Sequence, residues 1–153
     1  MKEQKVYERV RELGHEPIEG TAIIVTRAPE SILQSVIEFA TQADRFGLLV
    51  CCEDVILVFK LNNLANDIRT SASYRCVARE DVLGTSVELA DAGMTRRIRI
   101  STVEDDIVLN AQHEATSALR TSGLWGSWHA VNLPRACEKI CRMGVSASMR
   151  KAM

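Results

Sequence analysis

The chain is short of the features that most often announce an activity. Its 153 residues contain no glycine-rich phosphate loop, no C-x-x-C pair and no G-x-S-x-G turn, which are motifs of nucleotide-binding, zinc or thiol-redox, and serine-hydrolase sites. No run reaches the roughly 18 apolar residues of a membrane span, and no signal-peptide segment follows the charged N-terminus. We therefore expect a cytoplasmic protein with reduced thiols, no cofactor and no membrane partner.

Composition sets broad limits on the fold. Aromatic residues make up 5%, charged residues 25% and hydrophobic residues 46% of the chain, and the net charge is −1. This balance is typical of a globular domain and excludes a disordered chain or one with a global basic field. We predict a single domain over residues 1–153, with an amphipathic N-terminal helix over about 2–13 and a basic C-terminal tail over about 145–153.

The N-terminal helix carries a narrow apolar stripe. Val6, Tyr7 and Val10 recur at helical spacing, and Gly14 is a natural end to the helix. A stripe this narrow is typical of a helix on the domain surface or against a second subunit. The three side chains are therefore the predicted self-association surface of a homo-oligomer.

Periodicity predicts the remaining elements, and it is weakest over residues 62–94. Whether residues 48–61 form a hairpin around Glu53 and Asp54 or one bent strand stays open. Apolar runs or alternation predict strands over 21–27, 48–52, 55–61, 74–78, 97–102 and 127–131, and helical spacing predicts helices over 30–45, 62–68, 86–92, 102–121 and 134–143. These elements predict an α/β (α+β) domain: a two-layer sandwich of a mixed β-sheet with helices mainly on one face, of which a ferredoxin-like plan is one arrangement.

Five cysteines raise the question of a metal or redox site. Cys51 and Cys52 are neighbours in a predicted strand and point to opposite faces, so they cannot easily share a metal. Cys137 and Cys141 share a helix face and could bind zinc only if histidine joined them, with His129 and His113 as the candidates. Core packing is the favoured explanation, and no metal is expected.

A polar stripe crosses the predicted helix over 102–121. Asp106, Asn110, His113 and Ser117 fall on one face, and a carboxylate near an imidazole is a possible acid–base pair or half of a metal site. The apolar residues of the same segment lie on the opposite face, so a solvated stripe is the favoured explanation.

Both tryptophans fall in one seven-residue window. Trp125, Trp128 and His129 lie in the segment over 123–129, which also contains two glycines and precedes the last predicted helix. Arg27 precedes a strand-to-helix turn. Tryptophan is enriched at binding hot spots because it buries a large area and keeps one polar group. These four residues are the candidate contacts for a ligand or partner, with core packing as the alternative for the tryptophans.

The leading functional hypothesis is a non-catalytic α/β binding module for a partner protein or small ligand, which also self-associates. A histidine- and cysteine-dependent metal protein or enzyme is the alternative. An RNA- or DNA-binding module comes third: Arg96 precedes the strand over 97–102 and Arg97 and Arg99 line it, but no aromatic residue lies among them and the domain is not basic overall.

Overall fold

The computed structural model describes residues 2–27, 46–60, 73–112 and 127–152, and the backbone alone at 27, 91 and 144–152. Two helices and seven strands lie in these ranges. The helices are α1 (Glu3–Glu12) and α2 (Trp128–Ala152), and the strands are β1 (Ile23–Arg27), β2 (Phe46–Cys51), β3 (Val55–Lys60), β4 (Tyr74–Ala78), β5 (Val82–Ala90), β6 (Thr95–Thr102) and β7 (Asp106–Gln112). Short 3-10 turns span Arg79–Asp81 and Asp91–Gly93.

The seven strands form one antiparallel sheet in the order β4-β3-β2-β1-β7-β6-β5. All six pairings are antiparallel, so the predicted mixed sheet is wrong for the described strands. The fold is nevertheless α+β. The large sheet is not that of a typical ferredoxin-like fold, and the two-layer plan is not confirmed because α1 and α2 pack on opposite faces.

The sheet is strongly curled. The two edge strands, β4 and β5, are consecutive in the chain, and Ala78 and Val82 can be at most about 14 Å apart. Six strand spacings in a flat sheet would separate the edges by about 29 Å. Two backbone hydrogen bonds hold the turn between β4 and β5 in place. The Arg79 N–H donates to the Asp54 carbonyl at 2.8 Å, and the Val103 N–H donates to the Asp81 carbonyl at 3.2 Å. The sheet therefore has a concave and a convex face.

The concave face holds the larger core. All seven strands contribute to it, and α2 packs against the concave side of the sheet through Leu133, Ala136, Ile140 and Met143. The hydroxyl of Thr85 on β5 donates to the Ile140 carbonyl at 2.8 Å, so the helix backbone approaches β5 closely. The convex core is confined to one half of the sheet, where Val6, Tyr7 and Val10 of α1 pack against β1, β2 and β3.

Several predicted elements are confirmed by the structure. Helix α1 and strands β1, β4 and β6 lie where the sequence placed them. Glu53 and Asp54 form a hairpin turn, since Cys51 pairs with Ile56. Gly47 allows this hairpin to close, because a Cβ at that position would lie 2.5 Å from the Phe59 carbonyl oxygen. Cys51 and Cys52 point to opposite faces, one into each core.

Two predicted helices are strands. Residues 86–92 belong mainly to β5, and the described part of the helix predicted over 102–121 is β7. In β7, Ile107, Leu109 and Ala111 face the concave core, and the residues between them, Val108 and Asn110, face the other side; the acidic start of the segment concealed this period of two. The hydroxyl of Thr102, the first residue of the helix predicted over 102–121, accepts the Glu104 and Asp105 N–H groups in the β6–β7 turn.

The last predicted strand is helical. Residues 128–131 form the first turn of α2, so the strand predicted over 127–131 is wrong. Pro134 lies inside this helix rather than at its start, and Gly144 does not end it, since α2 continues to Ala152. The helices predicted over 30–45 and 62–68 lie outside the described residues.

Candidate functional site

The sheet divides into two halves with different convex faces. The first half, β1 to β4, has β2 buried along its whole length and α1 packed over its convex side. In the second half, β5 to β7, apolar and polar side chains alternate along β6. Ile98 and Ile100 face the concave core, and Arg97 and Arg99, each one position before an isoleucine, face the convex side. Polar side chains therefore occupy the convex surface of the second half.

Register aligns these polar groups across four strands. Thr26 of β1 pairs with Asn110 of β7, Asn110 with Arg97 of β6, and Arg97 with Glu88 of β5. A second row joins Val108, Arg99 and Ser86. We call this surface the arginine face, and its members are Thr26, Ser86, Glu88, Arg97, Arg99, Val108 and Asn110.

The two arginines of this face have no acidic partner among the described residues. Arg97 makes one long hydrogen bond, from Nε to Asn110 Oδ1 at 3.4 Å, and Arg99 is exposed. Arg9, Arg11, Arg75 and Arg142 are each ion-paired with a carboxylate elsewhere on the surface. Two positions along a strand separate Arg97 and Arg99 by about 7 Å, which leaves two guanidinium groups side by side and able to bind an anion.

The predicted site residues do not gather around one pocket. Trp125 lies outside the described residues, and so does the side chain of Arg27, whose backbone pairs with Leu109 at the end of β1. Trp128 is half-buried against the convex core. His129 is 0% exposed and bonded to backbone on both sides: the Ile24 N–H donates to Nδ1 at 2.9 Å, and Nε2 lies 2.7 Å from the Gln112 carbonyl.

The predicted self-association residues lie inside the chain's own core. Val6, Tyr7 and Val10 are at most 1% exposed. Tyr7 also donates to Glu3 and accepts the Gly20 N–H at 2.8 Å, and burial followed by the Glu3 hydrogen bond raises the pKa of its phenol to about 12. A second copy therefore finds none of these side chains on the surface, and self-association stays a prediction without an assigned surface.

Four of the five cysteines are thiols whose pKa values are raised, rather than activated thiolates. Burial raises the pKa of Cys51 to about 12 and that of Cys52 to about 11, and it also raises the pKa values of Cys76 and Cys137. Cys137 is half-buried and Cys141 exposed. His113, the other proposed ligand, lies outside the described residues, and in the part of the chain that is described no three His, Cys, Asp or Glu side chains form a group able to hold a metal.

The predicted polar stripe is split by the change from helix to strand. Asp106 and Asn110 both lie on the convex side of β7, where they pair with Ser101 and Arg97, and His113 and Ser117 are outside the described residues. The link between Asn110, Glu88 and Arg97 was not predicted. The period-two alternation of residues 97–102 places Arg97 and Arg99 on one face of a strand, but it does not indicate which residues of the neighbouring strands lie beside them.

Comparison with known proteins returns no relative: no family model, no curated protein and no solved structure matches the chain. No described helix combines the length and apolar character needed to cross a membrane. We therefore infer function from the geometry of the described residues.

Proposed function

We propose that the chain is a non-catalytic binding domain that contacts carboxylate groups of a partner protein or small ligand through its arginine face. The observation that carries this proposal is the contrast among the arginines. Arg97 and Arg99 lie two positions apart on one face of β6, and neither has a carboxylate within ion-pair distance among the described residues. Elsewhere in the described part of the chain Arg9, Arg11, Arg75 and Arg142 are ion-paired, and Arg96 and Arg135 are not. An Arg–carboxylate contact is charge-assisted and directional.

Three features support binding over catalysis. The described thiols that shift have raised pKa values, so they are poorer nucleophiles than an ordinary cysteine. The imidazole of His129 is occupied by two backbone groups. The arginine face lies on four hydrogen-bonded neighbouring strands, which suits a surface that presents a fixed set of donors.

Carboxylates fit this face better than nucleic-acid bases. Val108 is the one apolar member of the arginine face, and none of its members is aromatic. Base recognition on a sheet relies on aromatic stacking, whereas recognition of a carboxylate needs the guanidinium fork alone.

The proposal is tested by binding of a fluorescent poly-glutamate peptide, followed by anisotropy at low salt. Replacing both arginines (Arg97→Gln with Arg99→Gln) should weaken binding on the order of tenfold per arginine, because each charge-assisted hydrogen bond is worth roughly 1.5–3 kcal/mol. The matched control is Arg11→Gln with Arg142→Gln, which removes the same charge from exposed, ion-paired positions.

Equal weakening in both double variants would contradict a specific arginine face and indicate only net charge. A single-stranded oligonucleotide that binds where the peptide does not would favour the nucleic-acid alternative. Self-association and a cytoplasmic location belong to the same proposal, and light scattering at tens of micromolar tests the first: a monomer mass would overturn it.

A further inference from the structure

The two halves of the sheet are joined by a short seam between β1 and β7. Among the described residues, two pairs belong to this ladder, Thr26 with Asn110 and Arg27 with Leu109. In the same register Ile24 would stand opposite Gln112, and there the imidazole of His129 takes the place of the direct backbone bond. One side chain of α2 therefore continues the seam where the ladder stops.

The two contacts define the protonation state of this ring. The Ile24 N–H is a donor, so Nδ1 must accept, and the Gln112 carbonyl is an acceptor, so Nε2 must carry the hydrogen. The neutral Nε2–H tautomer satisfies both contacts. A second proton on Nδ1 would set an N–H against the Ile24 N–H and place a charge on a ring that is 0% exposed.

Few ionisable groups approach the ring from the described elements. Helix α1 brings Glu3 and Tyr7; the carboxylate of Glu3 already accepts from Tyr7 and from Asn132, which lies three residues beyond His129 on α2. The phenol of Tyr7 stays neutral, with its pKa raised to about 12. The described parts of β1 and β7 next to the ring, residues 23–26 and 110–112, carry no ionisable side chain, nor does Thr95, which pairs with Gln112.

We propose that His129 is an acid-sensitive latch between the two halves of the sheet. Above neutral pH its neutral ring holds β1 to β7. Because the latched ring must release the Ile24 N–H to take a second proton, acid favours the state in which the seam is open at Ile24 and Gln112. This inference concerns the seam and does not depend on the proposed binding function.

The test follows amide hydrogen exchange of Ile24 by NMR from pH 7.5 to pH 5, with rates divided by the intrinsic rate at each pH. The opening equilibrium should be flat above pH 6.5 and rise about tenfold for each pH unit below it, because a free imidazole takes up its proton near pH 6.5. His129→Gln, whose amide offers both an acceptor and a donor but does not titrate, should show no rise.

A double variant makes the assignment independent of whether His129→Gln folds. The chain has three histidines, so His15→Gln with His113→Gln leaves His129 as the only one. This variant should keep the full rise at Ile24, and the ¹⁵N shifts of its single imidazole should report the Nε2–H tautomer at pH 7.5. A flat profile in the wild type, loss of the rise in the double variant, or the same rise in His129→Gln would each overturn the proposal.

Discussion

The two halves of the sheet share one concave core and differ on their convex faces. In the first half, strands β1 to β3 are apolar on both sides, and α1 covers the convex side with Val6, Tyr7 and Val10. In the second half, the concave sides of β6 and β7 are apolar, and the convex side carries the arginine face, in which Val108 is the one apolar side chain. One half of the convex face is thus covered by a helix, and the other half carries mainly polar side chains.

The difference originates in the sequence pattern of the strands. Continuous apolar runs such as that of β2 have hydrophobic side chains on both faces and need a cover on each. Alternating runs such as that of β6 need a cover on one face only. Helix α2 covers the concave side of both halves, and α1 covers the convex side of the first half.

The largest expected effect comes from a cavity in the convex core. Leu48→Ala on β2 removes a wholly buried side chain beneath α1, and we expect a loss of about 3 kcal/mol in the free energy of unfolding. Val108→Ala on β7 removes a half-buried side chain from the arginine face and should cost less than about 1 kcal/mol. Urea denaturation measures both, and equal losses would contradict the difference between the halves.

The seam should be the next most sensitive place. His129→Leu leaves the Ile24 N–H and the Gln112 carbonyl without their partner, and each buried unsatisfied group costs about 1–3 kcal/mol. We expect a loss of roughly 2–3 kcal/mol at pH 7.5, against a much smaller change for the control His15→Leu. A loss no greater than that of the control would show that the imidazole does not join the halves.

An ion pair between β4 and the β6–β7 turn also connects the two halves, and it is sensitive to acid. Arg75 on β4 donates to Asp105 in the β6–β7 turn at 2.8 and 2.6 Å, and this bond holds the pKa of the Asp105 carboxyl at about 2, below the usual 3.8. A lowered pKa contributes stability that is complete above about pH 4 and is lost as the pH falls toward 2.

The corresponding variant is Asp105→Asn. It should lower the urea midpoint at pH 5 by a modest amount, because the pair is exposed, and the difference from the wild type should shrink toward pH 2. A difference that stays constant from pH 5 to pH 2 would indicate that the Asp105 charge is not responsible.

The smallest expected effect lies at the β5–β6 turn, where Ala92 has a φ of 56°. An alanine in this left-handed region costs roughly 1 kcal/mol, part of which glycine loses again to greater freedom in the unfolded chain. Ala92→Gly should therefore raise the free energy of unfolding by roughly 0.5 kcal/mol. The control Ala90→Gly, in the adjacent strand, should lower it, and a loss of stability in both variants would contradict this account of the turn.

The elements that could be predicted follow the same division of the sheet. Strands β1 to β3 were predicted from continuous apolar runs, and β4 was predicted from a short run in the segment where periodicity is weakest. In the second half, β6 was predicted from its alternation, but β5 and β7 were assigned to helices because their small, acidic and alanine residues also suit a helix start. Pairing with neighbours decided between the two, and pairing is not visible in a single segment.

The candidate site was only partly predictable for a related reason. The alternation of residues 95–102 placed Arg97 and Arg99 on one side of a strand, but the contribution of Asn110 and Glu88 depends on register between strands. His129 stood out by its proximity to two tryptophans, whereas its role arises from the place where the β1–β7 ladder ends. Local sequence gives no sign of either.

The most direct test of the account is an NMR titration of the wild-type chain with the poly-glutamate peptide. If the uncovered half of the convex face is the binding surface, saturable shifts should be confined to amides of β5, β6 and β7 and to Thr26 beside them. Amides of α1, β2 and β3 should remain unchanged. Shifts centred on α1 or on the first half of the sheet, or no saturable shift at any peptide concentration, would contradict the account.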